Sequence, residues 1–137
     1  MTDGRGVPIG LVVDGANRND FKLFADTVDS IPVRRPRPKP YHRQGMCLDK
    51  GYDYPIVRSL AQFFGFTLHL RTRGEEARLL RRRLLHRARR WVVERTHSWM
   101  NRFRGILIRW SKTAESYLAL LHLACGVITW RAAGLLG

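Results

Sequence analysis

Two carboxylates sit where chemistry could be done. Asp49 ends the short apolar run Met46–Leu48 in "MCLDKGYDYP", and a lysine, a glycine, a tyrosine and a second acid, Asp53, follow at once. Glu94 lies in "RRWVVERTHSWM", four residues after Arg90 and nearly alone among arginines. Carboxylate oxygens are the preferred ligands of Mg²⁺, which keeps several waters and binds through a few carboxylates plus substrate phosphates. Two such ions can activate an attacking oxygen and stabilise a leaving one in phosphoryl transfer. The spacing allows a site of this kind. It equally allows turn chemistry for Asp49 and Asp53, and an exposed Arg90–Glu94 pair worth a few tenths of a kcal/mol. On spacing alone the surface pair is the better reading of Glu94.

Charge narrows the partner. The 137 residues carry 25 Lys+Arg against 11 Asp+Glu, a formal net charge of +14. That balance favours a polyanion, either nucleic acid or an anionic membrane surface. The N-terminal "MTDGRGVPIG" lacks the charged region and apolar core of a signal peptide. The apolar stretch Tyr117–Trp130 contains His122 and falls short of the ~18–20 residues that span a bilayer, so it reads as a buried helix. Two cysteines, Cys47 and Cys125, have no CxxC spacing and read as reduced thiols of a cytosolic protein.

The elements that must position the acids follow from periodicity. Val7–Val13 is short, β-branched and bounded by glycine, and predicts a buried strand. After the loop "DGANRND", Asp20 is placed to cap a helix with Phe21, Phe24, Val28 and Ile31 at helical spacing. Residues 32–45 hold four prolines with Arg34, Arg35, Arg37, Lys39 and Arg43, which predicts a stiff basic connector. It is either a solvated linker or a segment that contacts phosphates. "MCLD" predicts a second strand. "YPIVRSLAQFFGF" predicts a helix with Pro55 in its first turn and Gly65 at its end. "FTLHLRTR" predicts a third strand.

Beyond a very basic segment, Arg73–Arg90, a helix is expected over about residues 86–104 and an apolar one over about 112–133. On a helical wheel, Val92, Val93, Trp99, Met100 and Phe103 share a face opposite Arg90, Glu94, His97 and Asn101. The order of elements implies an α/β sheet with helices on its faces, in one domain.

"CLDKGYDYP", "RRWVVERTHSWMNRFRGILIRW" and "YLALLHLAC" together resemble bacterial insertion-sequence transposases with a DDE catalytic domain, of the fourth and fifth insertion-sequence families. "GVPIGLVVDGANRND" is similar to the strand and loop that precede the second catalytic aspartate in those proteins. The resemblance implies an RNase-H-like fold and DNA cleavage and joining with Mg²⁺ or Mn²⁺ held by two aspartates and a glutamate. Asp49 matches the second aspartate and Glu94 the glutamate, as both catalytic and metal-binding residues. The glutamate helix of many relatives reads Y-x-x-R-x-x-x-E-x-x-x-x-x-x-K. Arg90 and Glu94 fit it, while Arg87 stands at the tyrosine position and Asn101, beside Arg102, at the lysine position. The implied DNA contacts are Lys50, Arg87, Arg90, Arg95, Asn101 and Arg102.

The family's first aspartate belongs on a strand before "GVPIG". Asp3 and Asp14 flank the predicted strand Val7–Val13 but match no catalytic position, and Asp14 reads as loop chemistry with Gly15. The expectation is therefore a partial RNase-H-like domain, 1–137, lacking its first strands. It would be the C-terminal part of a transposase, a second reading frame or a remnant, inert or nearly so alone. Its expected partners are transposon-end and target DNA, the N-terminal part of the transposase and a second copy of itself, with no membrane. Its expected place is the bacterial cytoplasm, at the nucleoid. The competing expectation is a basic nucleic-acid-binding protein without catalysis, acting as a regulator of transposition.

Overall fold

The computed structural model describes residues 1–39, 41–70 and 91–135. Arg87 and Arg90, expected to contact DNA, the last residues of the expected third strand and the start of the helix expected from about residue 86 lie outside them. The chain divides into two compact units. One comprises residues 1–13, 27–32 and 90–137, and the other residues 14–26 and 33–89. The described residues form a mixed α/β structure with a two-stranded parallel sheet.

The first helical element of the second unit is a 3-10 turn, Asp20–Leu23, which leads into α1, Phe24–Asp29. Asp20 is the first residue of that turn; the cap position belongs to Asn19, which makes no side-chain capping bond. The expected capping role of Asp20 is thus replaced by a place inside the turn. α1 crosses the division between the units and buries Phe24 and Val28, one turn apart.

A β-α-β unit follows. β1 is Gln44–Leu48, α2 is Pro55–Phe63 and β2 is Phe66–Leu70, with β1 and β2 parallel from Gln44↔Phe66 to Leu48↔Leu70. Pro55 opens α2, where its missing N–H costs no intrahelical bond. Val57 and Ala61, four apart on one helical face, are fully buried. Gly65 ends the helix with φ +77°, in the left-handed region where a side chain is strained.

In the first unit, Val7–Val13 does not form the expected strand. An isolated antiparallel bridge joins Thr2 to Pro8, Asp3 N–H donates to Val7 O at 2.9 Å and Ile9 N–H to Met1 O at 3.0 Å. Pro8 has no N–H to offer a ladder. The N–H of Leu11 is instead satisfied by the Ser30 hydroxyl at 2.9 Å, and Ser30 in turn donates to Thr27 O at 2.8 Å. Side-chain bonds have taken over where a neighbouring strand was expected.

α3, Trp91–Met100, carries Glu94. It ends at Met100, short of the expected residue 104, and α4, Arg104–Leu107, starts after a turn. α5, Ala114–Ala132, is capped by Thr113, whose hydroxyl accepts from Ser116 N–H at 3.2 Å. It packs against α3 and α4 and buries Leu121, Ala124 and Ile128. Among the described residues no helix is long and apolar enough to cross a membrane.

The wheel expectation for α3 also needs correction. Thr96 is its buried residue, whereas Val93 is 52% exposed. At about 100° per residue, the buried side centres on Val92, Thr96 and Trp99, and Val93 falls to its margin.

Candidate active site

Asp49 follows β1 directly and caps a one-turn 3-10 helix, Lys50–Tyr52. Its φ of −77° and ψ of 171° are extended, so the side chain can turn back over the next amides. Oδ1 accepts from Gly51 N–H at 2.9 Å. That bond occupies one oxygen of an exposed carboxylate and holds its orientation. Lys50 is exposed beside it.

Asp53, the other acid of the turn, is bound differently. Its Oδ1 accepts from Arg58 Nε at 2.8 Å and Nη2 at 2.5 Å, tying the turn to α2. The two acids of "DKGYD" therefore have separate tasks: Asp49 orders the turn with one oxygen, and Asp53 is spent on an ion pair.

A shallow cavity opens beside Asp49, lined by Asn19, Asp20, Phe21, Asp49, Gly51, Tyr52 and Tyr54. The Phe21 and Tyr54 rings stack with centroids 4.1 Å apart, which holds the Asp20 turn against the Asp49 turn. Burial pushes the Tyr52 hydroxyl's pKa up, and the charges of Asp20 and Asp49 push it further. Reading the sequence missed Asp20 as a neighbour of Asp49. No local signal marks it, because the two are brought together by the Phe21–Tyr54 stack.

Glu94 is exposed in the first turn of α3, within the first unit. Arg95 beside it is not simply presented to solvent. Its guanidinium lies 4.2 Å from the Trp91 ring centroid and 5.8 Å from that of Trp99, and Nη1 donates to Arg5 O at 3.3 Å. Asn101 and Arg102 are exposed in the turn after α3, their N–H groups bound to His97 O and Trp99 O. The N-terminal acids are spent on loops. Asp3 Oδ1 accepts from Arg5 and Val7 N–H, and Asp14 accepts from Gly15 N–H and Arg18. The Gly15 bond and then the Arg18 guanidinium hold the Asp14 carboxyl below its ordinary pKa.

The donor chemistry of Asp49 suits a hard cation: an exposed carboxylate with one oxygen committed, at the end of a strand. Among the described residues no three His, Cys, Asp or Glu side chains gather as a metal site.

The transposase DDE domain family matches residues 1–128. A curated relative, the putative transposase for insertion sequence element IS402 of Burkholderia cepacia, is 36% identical over 136 residues. That alignment covers 95% of this chain and 60% of the relative, so the chain spans about 60% of the relative's length. No solved structure matches. With the family matched along nearly the whole chain, this protein belongs to the transposase DDE domain family.

Proposed function

We propose that the chain supplies part of the catalytic centre of an insertion-sequence transposase, in which Asp49 and Glu94 serve metal-dependent cleavage and transfer of DNA strands. The fold proposed for the complete catalytic domain is RNase-H-like, with β1 and β2 in its central sheet and α2 on a face of it. The observation that carries the reading is the setting of Asp49: a carboxylate directly after β1, fixed by Gly51 N–H and otherwise open to solvent, in a chain matched by the family from residue 1 to residue 128.

Asp49 and Glu94 are the residues that would hold Mg²⁺ or Mn²⁺. Bound there, the ion supplies Lewis acidity toward phosphate oxygens. Lys50 places a cation next to Asp49, where it offsets the charge of an incoming phosphate. Arg87, Arg90 and Arg102 with Asn101 are the proposed contacts along the DNA backbone. Arg95 is proposed as a contact through the part of its guanidinium that the Trp91 face leaves open.

In the proposed chemistry, water attacks phosphorus at the transposon end and the P–O3′ bond breaks. The freed 3′-OH then attacks a target phosphodiester, forming a new P–O3′ bond as the target strand's own P–O3′ bond breaks and its 3′-OH leaves with the proton. The remaining aspartate is proposed to come from the rest of the transposase, with a second copy of the chain completing the assembly at the bacterial nucleoid. Asp3 and Asp14 are poor substitutes for it, since each is committed to its own loop.

That commitment also favours a second reading, a DNA-binding regulator that does not cut. Measuring both Mn²⁺ uptake and strand cleavage by the purified chain on transposon-end DNA separates the two: the first reading expects Mn²⁺ binding that Asp49→Asn and Glu94→Gln each weaken, even where the chain alone cuts little. It also expects any cleavage to disappear in both, and cleavage that survives Asp49→Asn contradicts it. The regulator expects DNA binding with no cleavage and no effect of either substitution.

A further inference from the structure

The connector between α1 and β1 holds Arg34, Arg35, Arg37, Lys39 and Arg43 with no acid anywhere from Ser30 to Leu48. One of these five is unlike the rest. Arg35 is half-buried, donating from Nη1 to Gln44 Oε1 at 2.9 Å and from Nη2 to Phe64 O at 3.0 Å. Its guanidinium lies 4.3 Å from the Phe66 ring centroid. Gln44 returns a bond from Nε2 to Pro36 O at 2.7 Å. Pro38 packs so closely on Gly65 that an added Cβ there would lie 2.8 Å from Pro38 Cγ. The connector is therefore pinned to the end of the β1–β2 sheet at Arg35, Pro36 and Pro38.

Pinning fixes what the neighbouring cations do. Arg35, Arg37 and Lys39 each precede a proline and are confined to extended backbone. Arg34, Arg37, Lys39 and Arg43 are all exposed, and among the described residues none forms an ion pair. A solvated linker has no need of a half-buried arginine to hold it in place. A row of cations on a backbone already ordered binds a row of anions with little further ordering cost.

We propose that this pinned connector is a sequence-independent contact surface for the phosphate backbone of duplex DNA, with Arg34, Arg37 and Lys39 as its phosphate-binding residues. It rests on the proposal that DNA is the substrate, and its residues are other than those assigned to the DNA contacts of the glutamate helix.

The test is binding of the full chain to unrelated duplexes in EDTA across a salt series, for the wild type and for Arg34→Gln/Arg37→Gln/Lys39→Gln. Each lost phosphate contact lowers the slope of log K against log[salt] by about 0.9. The triple variant should lose about 2.7 from that slope, the same on every duplex. Between ~50 and ~200 mM salt the wild type should lose about 40-fold more affinity than the variant. Arg34→Lys/Arg37→Lys, which keeps the charges, should retain the wild-type slope. An unchanged slope in the triple variant overturns the proposal, as does a loss confined to vesicles of anionic lipid. Because EDTA removes the metal, failure of cleavage leaves this result untouched. A chain that binds no duplex at low salt overturns both proposals, whereas one that cuts DNA with an unchanged slope overturns only this one.

Discussion

The Thr96 hydroxyl donates to the carbonyl oxygen of Gly6, ninety positions away, at 2.5 Å, and both residues are buried. Thr96 also bonds Val92 O at 3.1 Å, within α3. The helix that carries Glu94 is thus registered on the N-terminal turn through one hydroxyl. Gly6 has φ +88°, and a Cβ there would lie 3.0 Å from Val92 O. Thr96→Val keeps the shape and strands the Gly6 carbonyl, at a cost of about 1–3 kcal/mol. Gly6→Ala forces a side chain into the left-handed region and costs about as much, ~1–3 kcal/mol. Urea denaturation measures both, and stabilities equal to wild type contradict the arrangement.

Arg35 gives a second expectation. Its two bonds diverge from one planar guanidinium that also covers the Phe66 ring. A lysine cannot reproduce that fork. Arg35→Lys should cost about 1–2 kcal/mol, roughly one hydrogen bond and part of the ring contact. Arg37→Lys, at an exposed position, should cost nothing measurable.

Tyr52 makes stability depend on pH in the alkaline range. Its folded-state pKa is raised above the ordinary value of 10.0, by burial first and then by Asp20 and Asp49. The folded state therefore holds the phenolic proton more tightly than the unfolded chain. The contribution is complete below about pH 10 and is lost as pH rises through the folded pKa. Thermal unfolding across this range should show a fall in the wild type that is smaller in Tyr52→Phe. Asp20→Asn should bring phenolate formation at Tyr52, followed by NMR, to lower pH.

The cysteines should differ in reactivity. Cys47 is exposed on β1, whereas burial pushes the Cys125 thiol pKa up. Since the thiolate is the nucleophile, limiting iodoacetamide at pH 8 should label Cys47 first. Peptide mass spectrometry reads the order, and faster labelling of Cys125 contradicts its burial.

Where local chemistry decides structure, the sequence was readable. The run before Asp49, Pro55 at the start of α2 and Gly65 at its end mark β1, α2 and β2 within a few residues, because each signal acts on its own backbone. Asp53, read as turn chemistry, is ion-paired to Arg58 of α2. Val7–Val13 misled because its composition is that of a strand, while its hydrogen bonds depend on Ser30, far along the chain. The margin of α3 misled because one residue's rotation, about 100°, carries Val93 away from Val92 and the buried side. Arg35's pinning and the approach of Asp20 to Asp49 arise from tertiary contacts, the first with Gln44, Phe64 and Phe66 and the second through the Phe21–Tyr54 stack. Neither has a signature in spacing.

If the Asp49 carboxylate is a metal ligand, it must set the affinity of the chain for Mn²⁺. Electron paramagnetic resonance counts free Mn²⁺ in a titration of the full chain with duplex DNA present, for wild type, Asp49→Asn and Asp53→Asn. Asp49→Asn should weaken Mn²⁺ binding by about tenfold or more, while Asp53→Asn, which removes only the partner of Arg58, should leave it unchanged. Equal Mn²⁺ affinity in the wild type and Asp49→Asn would contradict the role of Asp49 as a ligand.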